Sequence, residues 1–125
     1  MKLTENFSLD EFKSKDGASF PAEVMQNLSI LAEQLQALRD HLGKPITVLS
    51  GYRSPAHNIK VGGAKESFHV KGMASDLQVA GMTPSELAEE IEGLIKQGKM
   101  KQGGMGVYPT FVHYDFRGKR IRWKK

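Results

Sequence analysis

Residues 68–79 read FHVKGMASDLQV. From Met73 to Val79 the residue types alternate, with Leu77 and Val79 on one face and Ala74, Asp76 and Gln78 on the other, which predicts a strand with one apolar side. Gly72 is available to turn the chain just before it. Aspartate is depleted in strands, so Asp76 is an anomaly that asks for a reason. His69 lies seven positions earlier, across that turn. A second alternating run, FVHYDF at 111–116, puts Phe111, His113 and Asp115 on one side and Val112, Tyr114 and Phe116 on the other. Two strands are thus each expected to aim a metal-type ligand.

Around these strands the chain carries helix signals. Ser8 followed by Glu11 has the form of a capping box opening a short helix, and Pro21 is placed to be the first residue of a longer one. In that segment Val24, Leu28, Leu31, Leu35, Leu38 and Leu42 recur at steps of four and three, the spacing of one helical face, until Gly43 stops it. The run PITVL at 45–49 predicts a buried strand that delivers the chain into the loop SGYRSP at 50–55. TPSE at 83–86 is a second capping box, and Leu87, Ile91, Leu94 and Ile95 supply an apolar face that ends near Gly98. No repeat or low-complexity tract interrupts the chain, so residues 1–125 are expected to form one domain. A monomer is the default for a chain of this kind.

The sequence contains no cysteine, which excludes thiolate nucleophiles, disulfides and cysteine-held metals. A transition metal would have to be bound by His, Asp or Glu, and the four histidines are His41, His57, His69 and His113. His41 falls in the last turn of the long helix, where a cation is favourable, and His57 reads as a solvated loop residue. The N-terminus MKLTENFSLDEF has charges breaking any apolar run, so neither a secretory signal nor a membrane span is expected there, and the protein is expected in the cytoplasm as synthesised. Lys and Arg exceed Asp and Glu by 18 to 14, and GKRIRWKK at 118–125 holds five of the positive charges. That excess fits an anionic polymer as partner, and fits plain solubility as well.

Two neutral imidazoles and one carboxylate can occupy three corners of a zinc tetrahedron and leave the fourth for water, which is the arrangement hydrolysis needs. His69, Asp76 and His113 are the candidates for one Zn2+ ion. Arg53, in the SGYRSP loop, carries a planar fork suited to a peptide carboxylate or a developing oxyanion. Asp115 is the candidate base nearest in sequence to His113, and equally a candidate orienter of a liganding imidazole. Each has a plainer reading: either histidine as a partly exposed polar residue, Asp76 as an edge-strand acid, Arg53 as a loop brace.

Three stretches, SGYRSPAHN at 50–58, VGGAKESFHVKGMASD at 61–76 and GGMGVYPTFVHYDFRGKRIRW at 103–123, resemble the zinc D-Ala-D-Ala carboxypeptidases and dipeptidases and the phage L-alanyl-D-glutamate endolysins, in particular the short single-domain branch of that family. FSLDEFKSKDG at 7–17 and LAEQLQALRDHLGKPITVLSGYR at 31–53 are similar too, so the resemblance covers nearly the whole chain. It implies an α+β fold, a small antiparallel β-sheet with helices packed on one side, shared with the zinc domain of hedgehog signalling proteins. It implies zinc bound by His69, Asp76 and His113, Arg53 in contact with a substrate carbonyl or carboxylate, and Ser67 as a hydrogen-bonding residue of the substrate site. Several branches place a catalytic Glu or Asp where this chain has Thr110, which leaves Asp115 first and Glu66 second as candidate base.

The expected function is therefore zinc-dependent hydrolysis of a peptide bond in bacterial peptidoglycan, of D,D-carboxypeptidase or endopeptidase type. The expected partner is peptidoglycan peptide, with no nucleic acid and no membrane insertion. A phage or prophage lysis protein released through a holin, or carried in the virion, would fit. The competing expectations are a catalytically silent zinc-binding domain of a wall or virion complex, and a basic nucleic-acid-binding module resting on the GKRIRWKK tail.

Overall fold

The computed structural model describes residues 1–125. Helix α1 (Ala22–Leu42) begins one residue later than the sequence suggests: Pro21 is the extended N-cap, and its carbonyl accepts the Met25 N–H at 3.1 Å. Leu28, Leu31, Leu35 and Leu38 are fully buried, so the four-and-three spacing is the core face. Gly43 ends the helix at φ 64°, where its N–H reaches the Arg39 carbonyl at 2.9 Å and a side chain would be strained. Helix α3 (Pro84–Lys96) opens on the expected capping box: Thr83 Oγ1 accepts the Glu86 N–H at 3.1 Å, and the Glu86 carboxylate accepts the Thr83 N–H at 2.8 Å. A single 3-10 turn (Leu9–Phe12) follows Ser8, and a short helix α2 (Pro55–Lys60), capped by Ser54, follows the SGYRSP loop. No helix is long and apolar enough to cross a membrane.

Five strands form one sheet: β1 (Thr47–Ser50), β2 (Ala74–Gln78), β3 (Gly104–Val107), β4 (Val112–Asp115) and β5 (Ile121–Lys124), in the order β1-β2-β4-β3-β5. The α+β class stands, but the sheet is mixed rather than antiparallel, because β5 runs parallel to β3 while every other pairing is antiparallel. After β4 the chain crosses the start of β3: Gly118 donates to the Gln102 carbonyl at 3.0 Å and Ile121 to that of Gly103 at 3.3 Å. A Cβ on Gly103 would collide with the Asp115 carbonyl, so the glycine is what lets the crossover pass so closely.

Leu77, Met105, Val112 and Tyr114 line one face of the sheet and join α1 and α3 in a single core of 20 buried residues. On that same side Arg122 of β5 pairs with Glu92 of α3, through Nε–Oε2 at 2.7 Å and a second contact at 2.6 Å. The opposite face carries a row of cross-strand neighbours running Ser50, Asp76, His113, Gly106, Trp123. The two long helices thus seal one side and leave the other for chemistry.

Leu35→Ala is expected to lower the unfolding free energy by about 2–5 kcal/mol by leaving a cavity in the helix-covered core. Urea denaturation checks this; a loss under about 1 kcal/mol would mean that the α1 face is not the packed centre the structure describes.

Candidate metal centre

The SGYRSP loop and the turn that carries His69 are tied together by backbone and side chain. The Arg53 N–H donates to the His69 carbonyl at 3.1 Å, and His69 Nδ1 lies 2.7 Å from the Gly51 carbonyl. A carbonyl can only accept, so Nδ1 is the protonated nitrogen and Nε2 keeps its lone pair. That lone pair faces Asp76 Oδ1 at 3.3 Å. In β4, His113 Nε2 lies 2.7 Å from Asp115 Oδ2, which commits its proton to that carboxylate and turns Nδ1 toward the same Asp76 Oδ1, again at 3.3 Å. His69, Asp76 and His113 each offer one ligand atom, all within 4.8 Å of one another, and all three residues are buried.

Three electron-pair donors therefore face each other with their outer protons already committed elsewhere. Only a cation between them makes such a cluster favourable, and two imidazole nitrogens with a carboxylate oxygen are a zinc-type donor set. The arrangement fits one ion. When no metal is bound, protons must take that part. Burial pushes His113 down, but its hydrogen bonds with Asp115 and Asp76, and their charges, outweigh this and hold it above the ordinary imidazole value. Burial pushes the Asp76 carboxyl up, but contacts with His113 and His69 outweigh this and hold it well below the usual carboxylate range.

Arg53 is anchored at every nitrogen: Nε to Ser50 Oγ at 3.2 Å, one terminal nitrogen to Asn58 Oδ1 at 3.3 Å, the other to Asp76 Oδ2 at 3.3 Å. It braces Asp76 from behind while remaining 18% exposed toward the cleft. Asn58, 3% exposed, also donates to the Ala64 carbonyl at 2.8 Å and so ties Arg53 to the loop that forms one cleft wall. Ser67 Oγ accepts the His69 N–H at 3.2 Å and lines the same cleft.

Asp115 sits fully buried behind His113. Its Oδ2 accepts from His113 and from Arg117 at 2.8 Å; its Oδ1 accepts from the Gly104 N–H at 2.9 Å, Arg117 Nε at 2.9 Å and the Arg117 N–H at 3.1 Å. Burial raises its pKa, yet the bonds from Arg117 and His113 outweigh this and hold it well below the usual range. Of the two roles the sequence left open, such a saturated carboxylate suits the orienter and not the base.

The cluster forms the floor of a cavity of about 580 Å³. Tyr108 and Phe111, stacked 4.4 Å apart, and Trp123, whose Nε1 donates to Tyr108 Oη at 3.0 Å, form an aromatic wall. Glu66, exposed and without a hydrogen-bond partner, is the carboxylate on this cleft besides Asp76. Thr110 does not line the cleft; its carbonyl accepts from Gln78 Nε2 at 2.7 Å beside a separate, smaller pocket. His41 and His57 also lie elsewhere, His41 bonded to Glu90 of α3 at 3.0 Å and His57 in α2. The contributions of Asn58, Arg117 and Trp123 were not read from the sequence, although SGYRSPAHN and the RGKRIRW tail contain them.

Against known proteins, the Peptidase M15 profile matches residues 3–115. The peptidoglycan L,D-endopeptidase MepK of Escherichia coli strain K12 is 37% identical over 94 residues, which cover 68% of this chain and 48% of MepK. The probable peptidoglycan L,D-endopeptidase MepK of Haemophilus influenzae is 37% identical over 86 residues, 63% of this chain and 42% of that protein. The zinc D-Ala-D-Ala carboxypeptidase of Streptomyces albus G is 46% identical over 57 residues, 45% of this chain and 22% of its own. The chain thus spans at most about half the length of these relatives.

The paired groups set a pH window for the chelated protein. Asp76 and Asp115, depressed on folding, contribute stability that is present above about pH 4 and lost below it as they protonate. His113, raised on folding, contributes stability that is present below about pH 6.5 and lost as pH climbs through its folded value. Urea midpoints in chelator are expected to peak between these limits and fall on both sides. Zinc should lift the alkaline limb, because it needs His113 neutral. Midpoints that stay flat across neutrality would contradict the pairing of His113.

Proposed function

This chain belongs to the Peptidase M15 family, and from that membership we propose that it hydrolyses an amide bond in peptidoglycan stem peptides or cross-links, using one zinc ion held by His69, Asp76 and His113. The observation that carries the proposal is the convergence of three lone pairs on one point at the floor of an open, aromatic-walled cleft. Zinc bound there supplies a polarised substrate carbonyl and a water acidified from ~15.7 toward ~7.

The remaining work falls to side chains. Arg53, fixed by Ser50, Asn58 and Asp76, presents its charge to the substrate carbonyl or a neighbouring carboxylate, and it stabilises the negative charge that develops on the carbonyl oxygen. Ser67 offers a hydroxyl to the bound peptide. Glu66 takes the proton from the attacking water on its carboxylate and returns it to the leaving amine, since it is the cleft acid with free oxygens. Arg53, Arg117 and Lys125 around one cleft match a substrate rich in carboxylates. The longer stretch shared with MepK supports cleavage as an endopeptidase rather than as a carboxypeptidase.

A second reading, a zinc-binding wall domain without catalysis, is favoured by two observations: Thr110 lies off the cleft and Asp115 is sealed.

Sacculi incubated with the protein are expected to release peptide fragments, to stop doing so in chelator, and to resume when zinc is restored. Mass spectrometry of the fragments names the bond. His69→Ala should lose both zinc stoichiometry and release. Glu66→Gln should keep its zinc and lose about 10²- to 10⁴-fold in rate; a Glu66→Gln protein as fast as the parent removes Glu66 from the chemistry. Zinc bound by the parent with no fragment from several wall chemotypes would establish the silent reading instead.

A further inference from the structure

We propose that Arg117 is a positioning residue that fixes both liganding histidines at once, through Asp115 on one side and Phe68 on the other. The inference rests on the zinc reading of His69, Asp76 and His113.

Arg117 lies outside the ligand set, yet it touches the support of each histidine. Its Nε and a terminal nitrogen bond the two oxygens of Asp115 at 2.9 and 2.8 Å, and its backbone N–H adds a third contact at 3.1 Å. This fixes the plane of the carboxylate that receives His113 Nε2 at 2.7 Å. The guanidinium carbon also stands 4.3 Å from the centre of the Phe68 ring. Phe68 immediately precedes His69, and its carbonyl accepts the Lys71 and Met73 N–H groups at 3.2 and 3.0 Å, closing the turn from which His69 projects. One cation therefore clamps the anchor of His113 by hydrogen bonds and the anchor of His69 by a cation–π contact.

Space has been cleared for it. A Cβ on Gly104 would lie 2.5 Å from Asp115 Oδ2 and 2.7 and 2.8 Å from the Arg117 nitrogens, so any side chain there would push the Asp115–Arg117 pair out of place. Lysine could neutralise Asp115 but could not bond both its oxygens in parallel while keeping a cation over Phe68.

The test uses the full chain carrying Arg117→Met or Arg117→Lys, compared with the parent. Zinc affinity is measured by competition with a chromogenic chelator, the ligand field by the visible spectrum of the cobalt(II) form, and folding by the melting temperature of the chelated protein. Arg117→Met is expected to weaken zinc by roughly 10- to 100-fold, and Arg117→Lys to recover part of that loss, with cobalt bands altered in both. Bands superimposable on the parent's, with zinc affinity within about twofold, would overturn the assignment. If Arg117→Met does not fold, Arg117→Lys decides by the same criterion. A parent that binds no zinc would overturn the metal reading together with this one, whereas a zinc-binding parent with unaffected variants overturns this one alone.

Discussion

Asp76 holds a negative charge in the interior of a sheet, 6% exposed, hydrogen-bonded through its strand to neighbours on both sides. A carboxylate in that position costs several kcal/mol of lost hydration unless cations and donors surround it. Arg53, from the loop after β1, answers it directly, while His69 from the turn before β2 and His113 from β4 bring imidazole nitrogens to it that answer it through a shared metal ion or proton. Each needs a holder of its own, which is why Ser50, Asn58, the Gly51 carbonyl and Asp115 stand where they do. The fold on this side of the sheet is a set of nested anchors with one buried charge at its centre.

The sheet makes the nesting feasible because its two faces are specialised. Leu77, Val112 and Tyr114 point into the helix-covered core, and the residues between them point the other way, so packing and chemistry occupy the same strands without competing. Within the row Asp76, His113, Gly106, Trp123, the glycine has a specific part. A Cβ on Gly106 would strike the indole, so its absence lets Trp123 lie over β3 with its ring centre 5.1 Å from that of His113. The aromatic wall and the His69, Asp76 and His113 cluster meet because one position in the strand between them has no side chain.

Those particulars explain what could be read from the chain and what could not. α1 and α3 were legible because their apolar spacing and capping residues are local patterns that the structure uses as written. β2 and β4 were legible for the same reason, and the charged residues in them marked the site. β3 was not, since GMGV has the wrong composition for a strand; its glycines answer to Asp115, Arg117 and Trp123, which approach from elsewhere in the chain. α2 was hidden inside a motif read as loop. The parallel pairing of β5 depends on a crossover at Gly103 that no periodicity encodes. Asp115 shows the same limit at the site: spacing placed it beside His113, but only its burial and five hydrogen bonds separate an orienter from a base.

The basic tail tests how far net charge can be taken as evidence of a partner. As a string, GKRIRWKK reads as a patch for a polyanion. Folded, it becomes an edge strand: Arg122 is held in a two-point pair by Glu92, Arg120 lies 3.7 Å from the same carboxylate, and Trp123 turns into the cleft. Part of the run is thus neutralised on the helix side of the sheet, where a screened surface pair contributes little to binding anything. On the cleft side Arg53 and Arg117 are each pinned to a buried carboxylate, and their charges cannot swing away to serve the surface at large. Those two charges are therefore fixed beside the His69, Asp76 and His113 cluster, whereas an extended nucleic-acid backbone calls for many cations along one continuous face.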